Sequence, residues 1–162
     1  MVNGTTEAIN GSESQMLASL DGATSWLHVT ELTTESMDGT ADRIGADSHD
    51  SRKRKQYIGG QSGEDITIAC NNVPSSAGQQ LLEDVYFGRV GAGDKTVYLK
   101  TLIQPKVGAV KYTSKCVVTK WGRSGANNTP QPFSMSFSVT GDLTRDLATL
   151  DDLTPLPPIV TD

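Results

Sequence analysis

Four stretches of this chain hold residue types that do chemistry in other proteins. Gly88 to Thr96 reads GRVGAGDKT. It approaches the phosphate loop G-x-x-x-x-G-K-[ST], in which backbone N–H groups and a lysine cradle phosphates. Here Asp94 stands between Gly93 and Lys95, where a carboxylate repels phosphate, so a tight glycine turn is the better reading. Ser48-His49-Asp50 names the members of a hydrolytic triad. A working triad is assembled from separated segments, and three consecutive residues do not align that way. No G-x-S-x-G elbow occurs elsewhere in the chain. Asp38, Asp42, Asp47, His49 and Asp50 offer oxygen and nitrogen ligands, but not at calcium-loop spacing, and His28 is the only other imidazole. Arg52-Lys53-Arg54-Lys55 is a short basic run with Tyr57 as its one nearby aromatic. Duplex binding draws on many phosphate contacts, so an acidic surface on a neighbouring subunit is the better partner for this run. No set of acid, base and nucleophile converges. The expectation is a protein that is not an enzyme and carries no cofactor and no metal.

The elements that would position these residues are mostly strands. Phe133, Met135, Phe137 and Val139 alternate with Ser134, Ser136, Ser138 and Thr140, which puts apolar side chains on one face and hydroxyls on the other. Lys111 to Trp121 is rich in Val, Thr, Tyr and Trp, as strands are, but its faces are mixed. Thr113, Lys115, Val117, Thr119 and Trp121 fall on one side, with Tyr112, Ser114, Cys116, Val118 and Lys120 on the other. That mixture predicts a strand meeting protein on both sides. Further strands are expected within Leu17–Leu32, over Glu64–Cys70 and over Lys95–Ile103. One helix is expected over about 75–87: Leu81, Leu82, Val85 and Tyr86 form a stripe, Ser76 with Gln79 fits a capping box, and Gly88 ends it. Residues 33–63 carry few large apolar side chains and many glycines, which reads as a long functional loop or a hairpin pairing outside the core. The fold class is therefore mainly β with one flanking α-helix: two packed antiparallel sheets, sandwich or barrel, with a long extended loop and terminal arms. The expected division is a flexible arm over 1–16, a β domain over 17–145 with its loop over 36–60, and an extension over 146–162.

The 162 residues carry a net charge of −5, unevenly spread. Residues 1–35 sum to −5, residues 57–85 to −4 and residues 141–162 to −4, while residues 86–140 sum to +7. Acidic ends facing basic strands on another copy would favour ordered self-association. No apolar run approaches the roughly 20 residues of a spanning helix, so no membrane insertion is expected. The N-terminus lacks a basic region followed by an apolar one, so no signal peptide is expected. Cys70 and Cys116 read as buried thiols.

A polar N-terminal stretch, a long polar loop, one helix and a closing strand pair that ends PFSMSFSVTGDLT together resemble the tail tube protein of long-tailed bacteriophages, a family related to the tube of type VI secretion. The resemblance covers about residues 20–145. It implies a subunit that self-assembles into stacked hexameric rings, forming a hollow tube through which DNA passes without specific contact. It implies residence in the virion tail after synthesis in the host cytoplasm, with tail terminator, tape measure and distal tail proteins as further partners. Ser36 to Gly60 would be the inter-ring loop and Thr5 to Ser19 the arm. Asp38, Arg43, Asp47, Arg52, Lys53, Arg54, Lys55 and Tyr57 are then contact candidates, and Ser134, Ser136, Ser138 and Thr140 lumen candidates. Alternatives are a ring-forming terminator, a contractile-system tube, or a carbohydrate-binding β-sandwich, which would need aromatics exposed on one sheet face.

Overall fold

The computed structural model describes residues 14–45, 57–91, 93–141 and 143–156. In chain order they form strands β1 (Gln15–Ser19), β2 (Leu27–Val29), β3 (Leu32–Gly45) and β4 (Tyr57–Asn71), and helix α1 (Ala77–Tyr86). Strands β5 (Thr96–Leu102), β6 (Val110–Arg123), β7 (Pro132–Val139) and β8 (Thr144–Leu147) and the short helix α2 (Leu150–Leu153) follow. All strand pairs are antiparallel and join in one sheet of order β2-β1-β5-β6-β7-β4-β3, with β8 alongside β6. The mainly β class with a flanking helix stands. The two packed sheets of the sequence reading are two halves of this one sheet.

Strand β6 is what makes one sheet behave as two. Its first part pairs with β5 over Lys111–Val117, and its second part pairs with β7 over Cys116–Arg123. A bulge between Val118 and Lys120 lies in the second part, and bulges bend and twist a strand. The halves share one core. Met16, Ala18, Val29, Val97 and Leu99 come from one side, and Ile66, Ile68, Phe133, Met135 and Phe137 from the other, with Leu82 and Val85 of α1. The alternation read from β7 holds: Phe133, Met135 and Phe137 are buried, and the intervening serines lie on the opposite face.

The bulge also accounts for the mixed faces of β6. It inserts one residue, so Trp121 moves to the core side with Cys116 and Val118, while Lys120 moves out opposite Ser136. Both cysteines are free and buried, and burial pushes the Cys70 thiol up to about 12 and raises that of Cys116.

Helix α1 begins at N-cap Ser76, whose hydroxyl accepts from the Gln79 N–H at 3.4 Å. The reciprocal half of the expected capping box is absent. The Gln79 side chain instead accepts from the Val73 N–H at 2.8 Å and donates to the carbonyls of Thr30 and Asn71 at 2.8 and 2.9 Å. Those backbone groups lie just after β2 and at and beyond the end of β4. Gly78 lets the helix lie directly on β2, since a Cβ there would stand 2.2 Å from the His28 carbonyl oxygen. Gln15 and Met16, which the sequence reading placed in the arm, belong to β1, and Met16 is fully buried.

Candidate assembly surfaces

Three surfaces stand out, each built by a different part of the sheet. The first is the face of β3, β4 and β7 that points away from the core. Register places Ser134, Ser136 and Ser138 beside Ala69, Thr67 and Asp65, and these in turn beside Thr34, Ser36 and Asp38. The Ser138 hydroxyl donates to Asp65 at 2.9 Å. Thr140 follows β7 in an exposed position, and both its N–H and its hydroxyl donate to the Lys115 carbonyl. Register thus puts Ser134, Ser136 and Ser138 on one side, and Thr140 lies just past the end of β7. Small hydroxyls and carboxylates give this face no apolar hold on a passing chain.

The second is the β3–β4 hairpin. Residues 36–45 and 57–60 of the anticipated loop are strand, paired from Leu32↔Cys70 out to Gly45↔Tyr57. The hairpin alternative is the one observed. Beyond Asp65 this ladder has lost its β7 neighbour, so the hairpin continues as two strands alone. Asp38 lies exposed opposite Asp65, Arg43 is in register with Gly59, and Tyr57 with Gly45. Asp47, Arg52, Lys53, Arg54 and Lys55, with the Ser48-His49-Asp50 triplet, lie outside the described residues. A cleft of about 330 Å³ opens between the halves of the sheet, lined by Glu35, Met37, Thr101, Ile103 and Tyr112, and burial raises the Glu35 carboxyl.

The third is a strap that sequence reasoning missed. After β7 the chain pairs with the start of β6 as β8, and α2 with its flanking residues then packs on the outer face of the other half of the sheet. Leu17, Leu102 and Ala148 form a small second core there, with Trp26, Leu153 and Leu156 packed against it. Asp152 fastens the strap. One carboxylate oxygen accepts from Lys100 Nζ at 2.7 Å, and the other accepts from Lys111 Nζ at 2.7 Å. The second oxygen also accepts from the Thr149 N–H at 2.8 Å and its hydroxyl at 3.0 Å. Burial alone would raise the Asp152 carboxyl, but the two lysines and the Thr149 N–H hold it well below the usual carboxylate range. Lys100 also sits 4.1 Å over the Trp26 ring. Lys100 and Lys111 lie far from Asp152 in sequence, and the local signal at this site is the Thr149-x-x-Asp152 capping box of α2.

The phosphate-loop-like stretch is a turn. Gly88, Gly91 and Gly93 all have positive φ, and Asp94 accepts from the Thr96 N–H at 3.1 Å. A carboxylate thus occupies the position where a phosphate would need a donor.

Neither a protein-family profile nor a curated sequence matches the chain. Solved structures do. The fold matches the SPP1 tail tube with a TM-score of 0.70 at 16% identity, covering 87% of this chain and 80% of that one. It matches a protein in the tail of an empty gene transfer agent particle of C6 symmetry with a TM-score of 0.66 at 16% identity, covering 85% and 98%. It also matches a component of an extracellular contractile injection system, in its sheath–tube complex, with a TM-score of 0.63 at 10% identity, covering 88% and 94%. The chain therefore has the fold found in tail tubes, shared between phage-type tails and contractile injection systems. That is the fold its resemblance implied.

Proposed function

We propose that this chain is a structural, non-catalytic subunit that self-assembles into stacked rings, hexameric in symmetry, forming the hollow tail tube of a virion through which DNA is delivered. The observation that carries this reading is the fold match to the SPP1 tail tube over 87% of the chain, supported by the match to the C6-symmetric gene transfer agent tail. Two features of the molecule favour it. The hydroxyl and carboxylate face of β3, β4 and β7 suits a lumen wall, with Ser134, Ser136, Ser138 and Thr140 as its candidates and Lys120 of β6 beside Ser136 at its edge. The β3–β4 hairpin leaves the sheet and carries Asp38, Arg43 and Tyr57 on the strands leading to the basic run, which suits contact with the next ring. Terminator, tape measure and distal tail proteins would be its partners at the tube ends, and the host cytoplasm its place of synthesis. A second reading, a contractile-system tube, is favoured by the match to the sheath–tube complex.

Negative-stain electron microscopy of the purified protein at high concentration tests the proposal. Long hollow tubes with an axial repeat are the expected result. Single rings would move the assignment to a terminator, and monomers at every concentration, with tail initiator proteins present, would remove the tube reading.

A further inference from the structure

The bases that make residues 86–140 positive go to different places in the fold. Arg89 pairs with Asp84, and Lys100 and Lys111 pair with Asp152. Lys95 sits 4.8 Å over the Tyr86 ring. Lys106 lies between β5 and β6, and Arg123 ends β6. Lys115 and Lys120 are set apart from these. Both are exposed along β6, on the side away from the buried Ser114, Cys116 and Val118. Neither has a carboxylate partner among the described residues.

Register puts both lysines beside the hydroxyl face. Lys120 pairs with Ser136, Ser136 with Thr67, and Thr67 with Ser36. The Lys115 carbonyl accepts from the N–H and the hydroxyl of Thr140. Val117, on the same side of β6 as Lys115, pairs with Ser138, Ser138 with Asp65, and Asp65 with Asp38. The face thus has three columns: lysines on β6, hydroxyls on β7, and carboxylates on β4 and β3. At about 4.8 Å per strand and about 3.3 Å per residue, each lysine stands roughly 12 Å from Asp65. That is too far for an ion pair, and at about 0.1 M salt it exceeds the screening length of about 10 Å. The ammonium groups are left free for a mobile anion.

This face also lacks the apolar anchors of a lasting protein contact. Among the described residues, the exposed large apolar side chains lie on β2, β8 and α2, at the end of α1 and in turns. Ammonium groups flanked by hydroxyls are instead the side chains that meet phosphate oxygens without reading bases.

We infer that Lys115 and Lys120 contact the phosphate backbone of duplex DNA, briefly and in a salt-sensitive way, while Asp65 and Asp38 repel it from the β3–β4 side. This rests on the tube reading above and gives its wall a direction. Phosphate follows the lysine column of each subunit and avoids the carboxylate column.

The test uses tubes of full-length wild type and of the double variant Lys115→Gln with Lys120→Gln, both exposed positions whose replacement should leave the fold intact. A short labelled DNA duplex is sedimented with the tubes. Wild-type tubes should retain it at about 50 mM salt and release it by about 200 mM, since each phosphate contact contributes about 0.9 to the slope of log K against log salt. The variant tubes should retain at least tenfold less at the lower salt. Acetylation followed by mass spectrometry locates the contact: duplex should protect Lys115 and Lys120 and leave the exposed Lys106 unchanged. Variant tubes that retain as much duplex as wild type would overturn the inference and leave the tube reading standing, as would wild-type tubes that retain none. Lysines already blocked in tubes without DNA, or variants that no longer form tubes, would place them in a subunit interface and overturn it too. Wild-type protein that forms no tubes would remove both.

Discussion

Replacing Asp152 with asparagine keeps the shape of the side chain and removes its charge. The carboxylate has 6% of its side-chain surface exposed and Lys100 has 9%, so neither is screened by water. The amide of the Asp152→Asn variant would still meet Thr149, but two buried ammonium groups would lose their counter-charge. Breaking a buried ion pair by removing one partner costs about 3–5 kcal/mol, because the remaining charge is left desolvated. At roughly 2–4 °C per kcal/mol for a chain of this size, the midpoint should fall by on the order of 10 °C. The assay is urea and thermal unfolding of dilute full-length protein, followed by circular dichroism. The pH dependence gives a second readout. Folding lowers the Asp152 carboxyl, so its contribution is present above the usual carboxylate pKa of about 4 and fades as pH falls below it. The stability difference between wild type and Asp152→Asn should therefore be full at pH 7 and shrink steadily below about pH 4. Asp21, also lowered by its hydrogen bonds to Ala23 and Ser19, is common to both proteins and cancels in the difference. A loss under about 1 kcal/mol, or a difference that does not change with pH, would refute the claim that this pair is buried and coupled.

Three further outcomes are expected. Gly78→Ala should destabilise by several kcal/mol in a chemical melt, although alanine normally gains about 1 kcal/mol over glycine in a helix, because the added methyl meets the His28 backbone; a gain in stability would refute the close approach. Gln79→Leu strips partners from the Val73 N–H and the Thr30 and Asn71 carbonyls, at about 1–3 kcal/mol for each group left unsatisfied, read by the same melt. Replacing residues 46–56 with a short turn should leave the melt unchanged while blocking polymer growth in the electron microscope; normal tubes would end the inter-ring role of the hairpin.

The sequence was most informative where one physical signal acted alone. Strand β7 alternates without a break because one side is core and the other is open, and the helix stripe at Leu82 and Val85 is equally direct. Strand β6 misled because a bulge carries no residue signature of its own: the sides of Lys120 and Trp121 are reversed, so Trp121 read as facing away from the core while it packs against it. Gln79 was correctly singled out but for the wrong bond, since local spacing suggests a local partner and the real partners are the ends of distant strands. Of the candidate assembly residues, Asp38 and the hydroxyls of β7 are placed on exposed or outward positions by register alone. The ion pairs of Asp152 escaped because Lys100 and Lys111 come from strands distant in sequence.

The order of the strands has a consequence for how the protein reaches this state. Strand β1 pairs with β5, so Ser19 waits for Tyr98, and β4 waits for β7 across the whole of α1, β5 and β6. Contacts this distant along the chain must close large loops before they return any energy, and such topologies fold slowly. During that delay the long β3–β4 hairpin, which needs only its own turn, can form first and display unpaired backbone edges. Copies of the chain made in quantity would then meet one another while half-folded. Premature edge-to-edge pairing is the hazard this topology has to outrun, and the rate at which β7 docks on β4 sets the time available.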